Sequence, residues 1–162
     1  MDFCRMKITL LLVGKTTEEY LNTGISVYVK RIVHYLPFEI IELTALKSKG
    51  KITPAQQKEA EADIILKHIN KSDRVILLDE KGKEKSSAEF ADFLNHQMNS
   101  GIKNLFFVVG GPYGFSEQVY SKAYSTISLS KMTFSHQLVR LVFVEQLYRA
   151  FTILKNEPYH HE

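Results

Sequence analysis

Short apolar runs alternate along this chain with longer stretches of helical period. Ile8, Leu10, Leu11, Leu12 and Val13 make a nearly continuous apolar run that stops at Gly14. Similar runs occupy residues 38–43, 74–78, 105–109 and 124–129. Runs of this length, rich in Val, Ile, Leu and Phe, predict strands buried on both faces. Between them lie helix signals. Thr16 or Thr17 can cap a first helix, with Glu18 and Glu19 in its positive first turn and an end near Tyr35, before Pro37. Thr53-Pro54-Ala55-Gln56 has the form of a capping box with proline at the first helical position, and its helix should end near Ile69. Ser86-Ser87-Ala88-Glu89 opens another helix that reaches about Asn99. A short helix starts at Ser116, and a long one should span residues 135–154. Residues 79–83 read as a turn, and residues 47–51 as a basic loop.

Strands alternating with helices predict an α/β domain: a mainly parallel sheet of five or six strands with helices on both faces. The 162 residues suffice for one domain, expected over 6–162, and no internal repeat is visible. Residues 1–5 precede a second methionine, Met6, and read as a leader or upstream extension. In such sheets ligands bind outside the carboxyl ends of the strands. Three segments meet that condition: the turn after Leu78, the glycine loop after Val109, and the loop after Leu129.

Composition narrows this only a little. With 44% hydrophobic and 24% charged residues, the chain is ordinary globular material. One cysteine, Cys4, allows no internal disulfide and fits a reducing, cytoplasmic setting. No apolar run approaches the length of a membrane span. The formal charge of +3 permits contact with nucleic acid without arguing for it. A shaped pocket, a dimer or a second surface would have to add to any grip on RNA.

Gly14-Lys15-Thr16 follows a strand, as in phosphate-binding loops, but the glycine that such a loop needs five residues before the lysine is replaced by Thr9. A strand exit and helix cap explain the segment better. Gly110-Gly111-Pro112-Tyr113-Gly114 lacks the dinucleotide spacing, yet glycines there let a ligand approach the backbone; the plain alternative is a tight turn into the next helix. Zinc is poorly supported by one cysteine and the adjacent pair His160-His161. The last helix is apolar nearly all the way round, from Leu138 and Val139 to Ala150 and Phe151, which predicts burial on more than one side, against the sheet and against a partner subunit. His136 and Arg140 sit four apart at its start, near the ligand end of the sheet. Glu145 and Arg149, also four apart, can pair on one face, a structural arrangement.

Several segments taken together, in order and spacing, resemble one family. They are Leu78-Asp79-Glu80-Lys81-Gly82-Lys83, Val109-Gly110-Gly111-Pro112-Tyr113-Gly114, residues 129–140 from Leu129-Ser130-Lys131 through His136 to Arg140, Glu145-Gln146-Leu147-Tyr148-Arg149-Ala150, and Pro158-Tyr159-His160-His161-Glu162. The chain from Met6 onward is similar to the ribosomal large subunit methyltransferase H group of the trefoil-knotted SPOUT class, with Ser135 where many members carry proline. The resemblance implies a homodimeric enzyme with a C-terminal trefoil knot. It would transfer methyl from S-adenosylmethionine to N3 of a pseudouridine in the helix 69 loop of 23S rRNA, on assembled ribosomes. It implies a cofactor pocket of Leu78, Gly110, Gly111, Leu129, Ser130, Lys131, Met132, Thr133 and Phe134, and no metal or membrane. The N3 proton must leave, so a base or a positive field is needed, with His136, Arg140, Tyr159 and His160 as candidates.

Two other classes are compatible with the residues alone. A non-catalytic RNA-binding or ribosome-assembly factor would share the fold and mild charge without needing a cofactor pocket. A related knotted methyltransferase acting on tRNA differs only through the family match.

Overall fold

The computed structural model describes residues 6–44 and 50–161. The expected leader over 1–5, residues 47–49 of the expected basic loop, and Glu162 lie outside the described residues. In chain order the elements are β1 (Lys7–Val13), α1 (Glu19–Ile32), β2 (Phe38–Leu43), α2 (Pro54–Lys67), β3 (Arg74–Glu84), α3 (Ser87–Asn99), β4 (Asn104–Val109), α4 (Glu117–Lys122), β5 (Ser125–Ser128) and α5 (Leu138–Leu154). The five strands form one parallel sheet in the order β2-β1-β4-β3-β5.

Successive side chains of a strand point to opposite faces, so a run that is apolar throughout needs cover on both. Ile8, Leu10 and Leu12 of β1, Ile76 and Leu78 of β3, and Leu105, Phe107 and Val109 of β4 enter one core with α1, α3 and α5. Their neighbours Leu11, Val13, Val75, Leu77, Phe106 and Val108 enter the other, against Ala62 and Ile65 of α2 and Val119 of α4. Each large apolar side chain so buried contributes about 1.5–3 kcal/mol.

Both predicted capping boxes form. Thr53 Oγ1 accepts from the Gln56 backbone N–H at 3.1 Å while the Gln56 side chain accepts from Thr53 N–H at 2.9 Å. Ser86 and Glu89 repeat the exchange at 3.1 and 2.6 Å. The first helix departs from expectation. Glu18 sits at its cap position without a side-chain cap bond, because the Thr16 hydroxyl is taken by Arg140, 2.8 Å away. It also stops at Ile32, short of Tyr35. The last helix begins at Leu138, three residues later than expected, with Ser135 Oγ accepting from Leu138 N–H at 3.0 Å.

The larger correction is β3, which does not end at Leu78 but continues as strand through the expected turn to Glu84. Leu78 and Lys83 both lie opposite Ile127, so residues 79–82 bulge out of the ladder. The return passes so close to β5 that a Cβ on Gly82 would lie 2.7 Å from backbone atoms of Thr126 and Ile127. Only glycine allows that approach. Gly82→Ala must push the two strands apart, at about 2–4 kcal/mol. In a chain of this size it should lower the melting temperature by roughly 5–15 °C. Calorimetric scans of the variant check this; an unshifted transition would mean that the crossing yields freely.

The all-round apolar character of α5 is largely accounted for within the chain. It lies against α1 and α3 over the sheet, burying Phe143, Val144, Leu147, Ala150 and Phe151. The apolar residues left at its start are Leu138, 37% exposed, and the half-buried Val139, Leu141 and Val142.

Candidate functional site

A cleft of about 300 Å³ opens at the bulge of β3 and the carboxyl ends of β4 and β5. It is walled by that bulge and by the segments that follow β4 and β5. Of the cofactor residues expected from sequence, Leu78, Gly110, Gly111, Leu129, Ser130, Thr133 and Phe134 line it, together with His136. Lys131 and Met132 do not; Met132 is 78% exposed. Asp79, Glu80, Phe115, Ser128, Ser135 and Val139 also face the cleft and were not among the site residues expected. Asp79, Glu80, Ser135 and Val139 lie in segments that the sequence had marked; Phe115 and Ser128 lie one residue outside such segments.

Local bonds shape each wall. In the loop after β5, Ser128 Oγ donates to Ser130 O at 2.8 Å, and Met132 N–H donates to Ser130 Oγ at 2.9 Å. The turn after Leu78 is held from two sides: Asp79 accepts from Lys81 N–H at 2.9 Å and from the Tyr120 hydroxyl in a short bond. Burial and that carboxylate push the Tyr120 phenol far up, so it remains a donor throughout the neutral range. The two walls meet where Thr133 Oγ1 donates to Glu80 Oε2 at 2.8 Å. In the third wall, a Cβ on Gly111 would fall 2.3 Å from the buried Glu61 carboxylate, and one on Gly110 would fall 3.0 Å from the Phe115 ring. A Cβ at either position would force the Glu61 carboxylate or the Phe115 ring to shift, and the lack of side chains there leaves bare backbone lining the cleft.

Arg140, expected as a site residue, lies below the cleft and is fully buried. Its Nε donates to His136 O at 3.0 Å, and its terminal nitrogens donate to Val13 O at 2.9 Å, Gly14 O at 3.0 Å and Thr16 Oγ1 at 2.8 Å. Burial lowers its pKa, and Glu42, which also accepts from Thr16 N–H at 3.0 Å, pulls it back up. Engaged in this way, Arg140 joins the exit of β1 to the start of α5 and so sets where His136 stands.

Tyr159 and His160 do not reach their own chain's cleft. The tail turns back along α5. Tyr159 meets the Tyr148 ring edge-on at 4.7 Å between centroids, and its hydroxyl donates to Glu145 Oε1 at 3.1 Å. Arg149 stacks over Tyr159 at 4.9 Å, bonds Glu145 at 2.5 Å, and lies 3.2 Å from His160 Nδ1. Glu145 is nine residues beyond His136, or roughly 13 Å at the helical rise. Burial, then bonds to Tyr28 and Glu145, push the Tyr159 phenol well up, which leaves it a donor and unsuited to be a base. Arg149 Nε is buried without an acceptor among the described residues.

Comparison with known proteins adds three findings. A family model described as "Predicted SPOUT methyltransferase" matches residues 6–160. The chain is 54% identical, over 157 residues, to a ribosomal RNA large subunit methyltransferase H of Parabacteroides distasonis, covering 97% of this chain and 100% of that one. In solved structures the fold resembles a probable methyltransferase of Bordetella pertussis Tohama I (TM-score 0.56, 8% identity, 91% of this chain and 95% of that one). It also resembles a methyltransferase of Legionella pneumophila solved with bound cofactor SAM (TM-score 0.50, 11% identity, 91% and 67%).

Proposed function

The chain belongs to the ribosomal RNA large subunit methyltransferase H family of SPOUT methyltransferases, and on that premise we propose that it methylates N3 of a pseudouridine in the helix 69 loop of 23S rRNA, on assembled ribosomes, as a cytoplasmic homodimer. The trefoil knot of the class belongs to the same reading. The observation that carries it is the convergence of the β3 bulge and the loops after β4 and β5 on one cleft. Its lining suits a nucleoside-bearing cofactor: apolar Leu78, Val109, Leu129, Phe134 and Val139 for ring faces, and bare backbone at Gly110 and Gly111 for polar edges. Bound there, S-adenosylmethionine supplies an electrophilic methyl group.

The chain's own residues then have three tasks. The loop over 129–134 and the turn over 79–83 enclose the cofactor and exclude water. His136, the one basic side chain among the described residues of the lining, can take the N3 proton or pass it to water. Arg140 positions His136 through its carbonyl. Tyr159 and His160 act on the cleft of a partner subunit, Tyr159 by stacking on the target base. Two features support the shared site. Tyr20 and Val27 are exposed on α1 and, with Gly24, form a stripe at helical spacing beside Leu138 and Leu141. The Arg149 Nε donor, unanswered among the described residues, lies beside the tail, and leaving a buried donor unmade costs about 1–3 kcal/mol unless something completes it.

Titration calorimetry with S-adenosylmethionine and EDTA should give metal-independent binding. Absence of heat across a workable range would favour an assembly factor. Mass spectrometry of 23S rRNA from a deletion strain should then show the loss of one methyl-pseudouridine; intact 23S rRNA with an undermethylated tRNA would select the knotted tRNA enzyme instead.

A further inference from the structure

The lining of the cleft is lopsided in charge. Among the described residues that line it, the side chains formally charged at neutral pH are the two carboxylates Asp79 and Glu80, with no lysine or arginine. Asp79 is tied down by Tyr120 and Lys81 N–H. Glu80 belongs to the bulge of β3, and its one bond among the described residues comes from the neutral hydroxyl of Thr133, on the loop that closes the cleft from the other side. No salt bridge between described residues involves either carboxylate. Both formal charges among the described lining side chains are therefore negative.

We infer that Glu80 is a specificity-determining residue for the cofactor's charge, favouring the sulfonium form over the neutral thioether that the reaction leaves behind. This rests on the proposed methyl transfer. In that reaction the S–CH3 bond breaks with its electron pair staying on sulfur, the N3–CH3 bond forms, and the N3 proton goes to a base or water. The cofactor thereby loses one positive charge, while the carboxylates at the rim keep theirs. Attraction between opposite charges in a partly enclosed cleft is stronger than in open water, and it is lost in one step when the sulfur becomes neutral. The product is held less tightly than the substrate, and release follows from the chemistry without a separate trigger. The bond to Thr133 puts this charge at the junction of the two walls, so one side chain couples loop closure to the charge of what is enclosed.

The charge and the bond can be separated. Glu80→Gln keeps an oxygen that can accept from Thr133 but removes the charge. Thr133→Val removes the bond but keeps the charge. Binding of S-adenosylmethionine, S-adenosylhomocysteine and sinefungin, whose protonated amine stands in place of the sulfonium, should be measured by calorimetry for all three proteins. The unsubstituted protein should bind the two cationic ligands about three- to tenfold more tightly than the thioether. In Glu80→Gln that preference should fall towards unity, mainly by loss of affinity for the cations. In Thr133→Val all three ligands should weaken together, with the preference kept. Equal weakening of all ligands in Glu80→Gln, or an unchanged ratio, overturns the inference and leaves Glu80 a latch only. Failure of the unsubstituted protein to bind any of them would count against the methyltransferase reading itself. Product inhibition gives an independent readout: the inhibition constant for S-adenosylhomocysteine relative to the KM for S-adenosylmethionine should drop in Glu80→Gln.

Discussion

Arg140→Ala should lower the melting temperature by about 10 °C or more. The side chain is fully buried and donates to Val13 O, Gly14 O, Thr16 Oγ1 and His136 O. Removing it strands buried acceptors, each worth about 1–3 kcal/mol when left unmade, and opens a cavity. A total on the order of 3–5 kcal/mol is expected for breaking such a buried charged network. In a domain of this size each kcal/mol moves the transition by about 2–4 °C. Lysine cannot rescue it, because one ammonium cannot reach carbonyls spread around a planar fork. A variant that melts within 2 °C of the original yet transfers methyl a thousandfold more slowly would refute this role and return Arg140 to the chemistry.

Removing residues 158–162 should lower methyl transfer to ribosomes by at least about 100-fold, the scale for misplacing the reacting base. Affinity for S-adenosylmethionine should change less than about twofold, because none of the described tail residues lines the cleft of its own chain. From sequence, a tail serving chemistry alone would leave thermal stability nearly unchanged. The packing changes that expectation. Truncation removes the Tyr159 contacts with Tyr148, Arg149 and Glu145, together worth roughly 1–3 kcal/mol, so the transition should also fall by several degrees. Tyr159→Phe separates the effects: it keeps the ring and loses the hydroxyl's bonds to Glu145 and Tyr28. Turnover by the truncated protein equal to that of the full chain would remove Tyr159 and His160 from the reaction.

What could be read in the sequence was local. Alternation within β1, β3 and β4 sends each residue to one of two cores, and continuous apolar runs state that both faces are covered. Thr53-Gln56 and Ser86-Glu89 announce their helix starts because the bonds that make a capping box span three residues. What escaped depends on distant partners. The continuation of β3 through Lys81-Gly82-Lys83 has no apolar signature; pairing with β5 holds it. The Glu80–Thr133 bond joins residues 53 apart, and the Arg140 bond to Gly14 joins residues 126 apart. An arginine among leucines and valines signals that something buried must answer it, without saying what. The tail could not be placed, because Tyr159 lies where Glu145, Tyr148 and Arg149 offer a seat, and nothing in five polar and aromatic residues fixes the direction of return.

The tie between Arg140 and the exit of β1 also orders events in time. The carbonyls of Val13 and Gly14 leave the ribosome early during synthesis, while their donor follows only after a further 126 residues or more. No two strands form a hairpin, since every pair in the sheet is parallel. Each pairing must close a long loop before it gains contacts, a topology associated with slow folding. The growing chain therefore carries the apolar strands β1 and β4 half covered until α5 emerges. It becomes a stable body only once α5 can pack over the sheet.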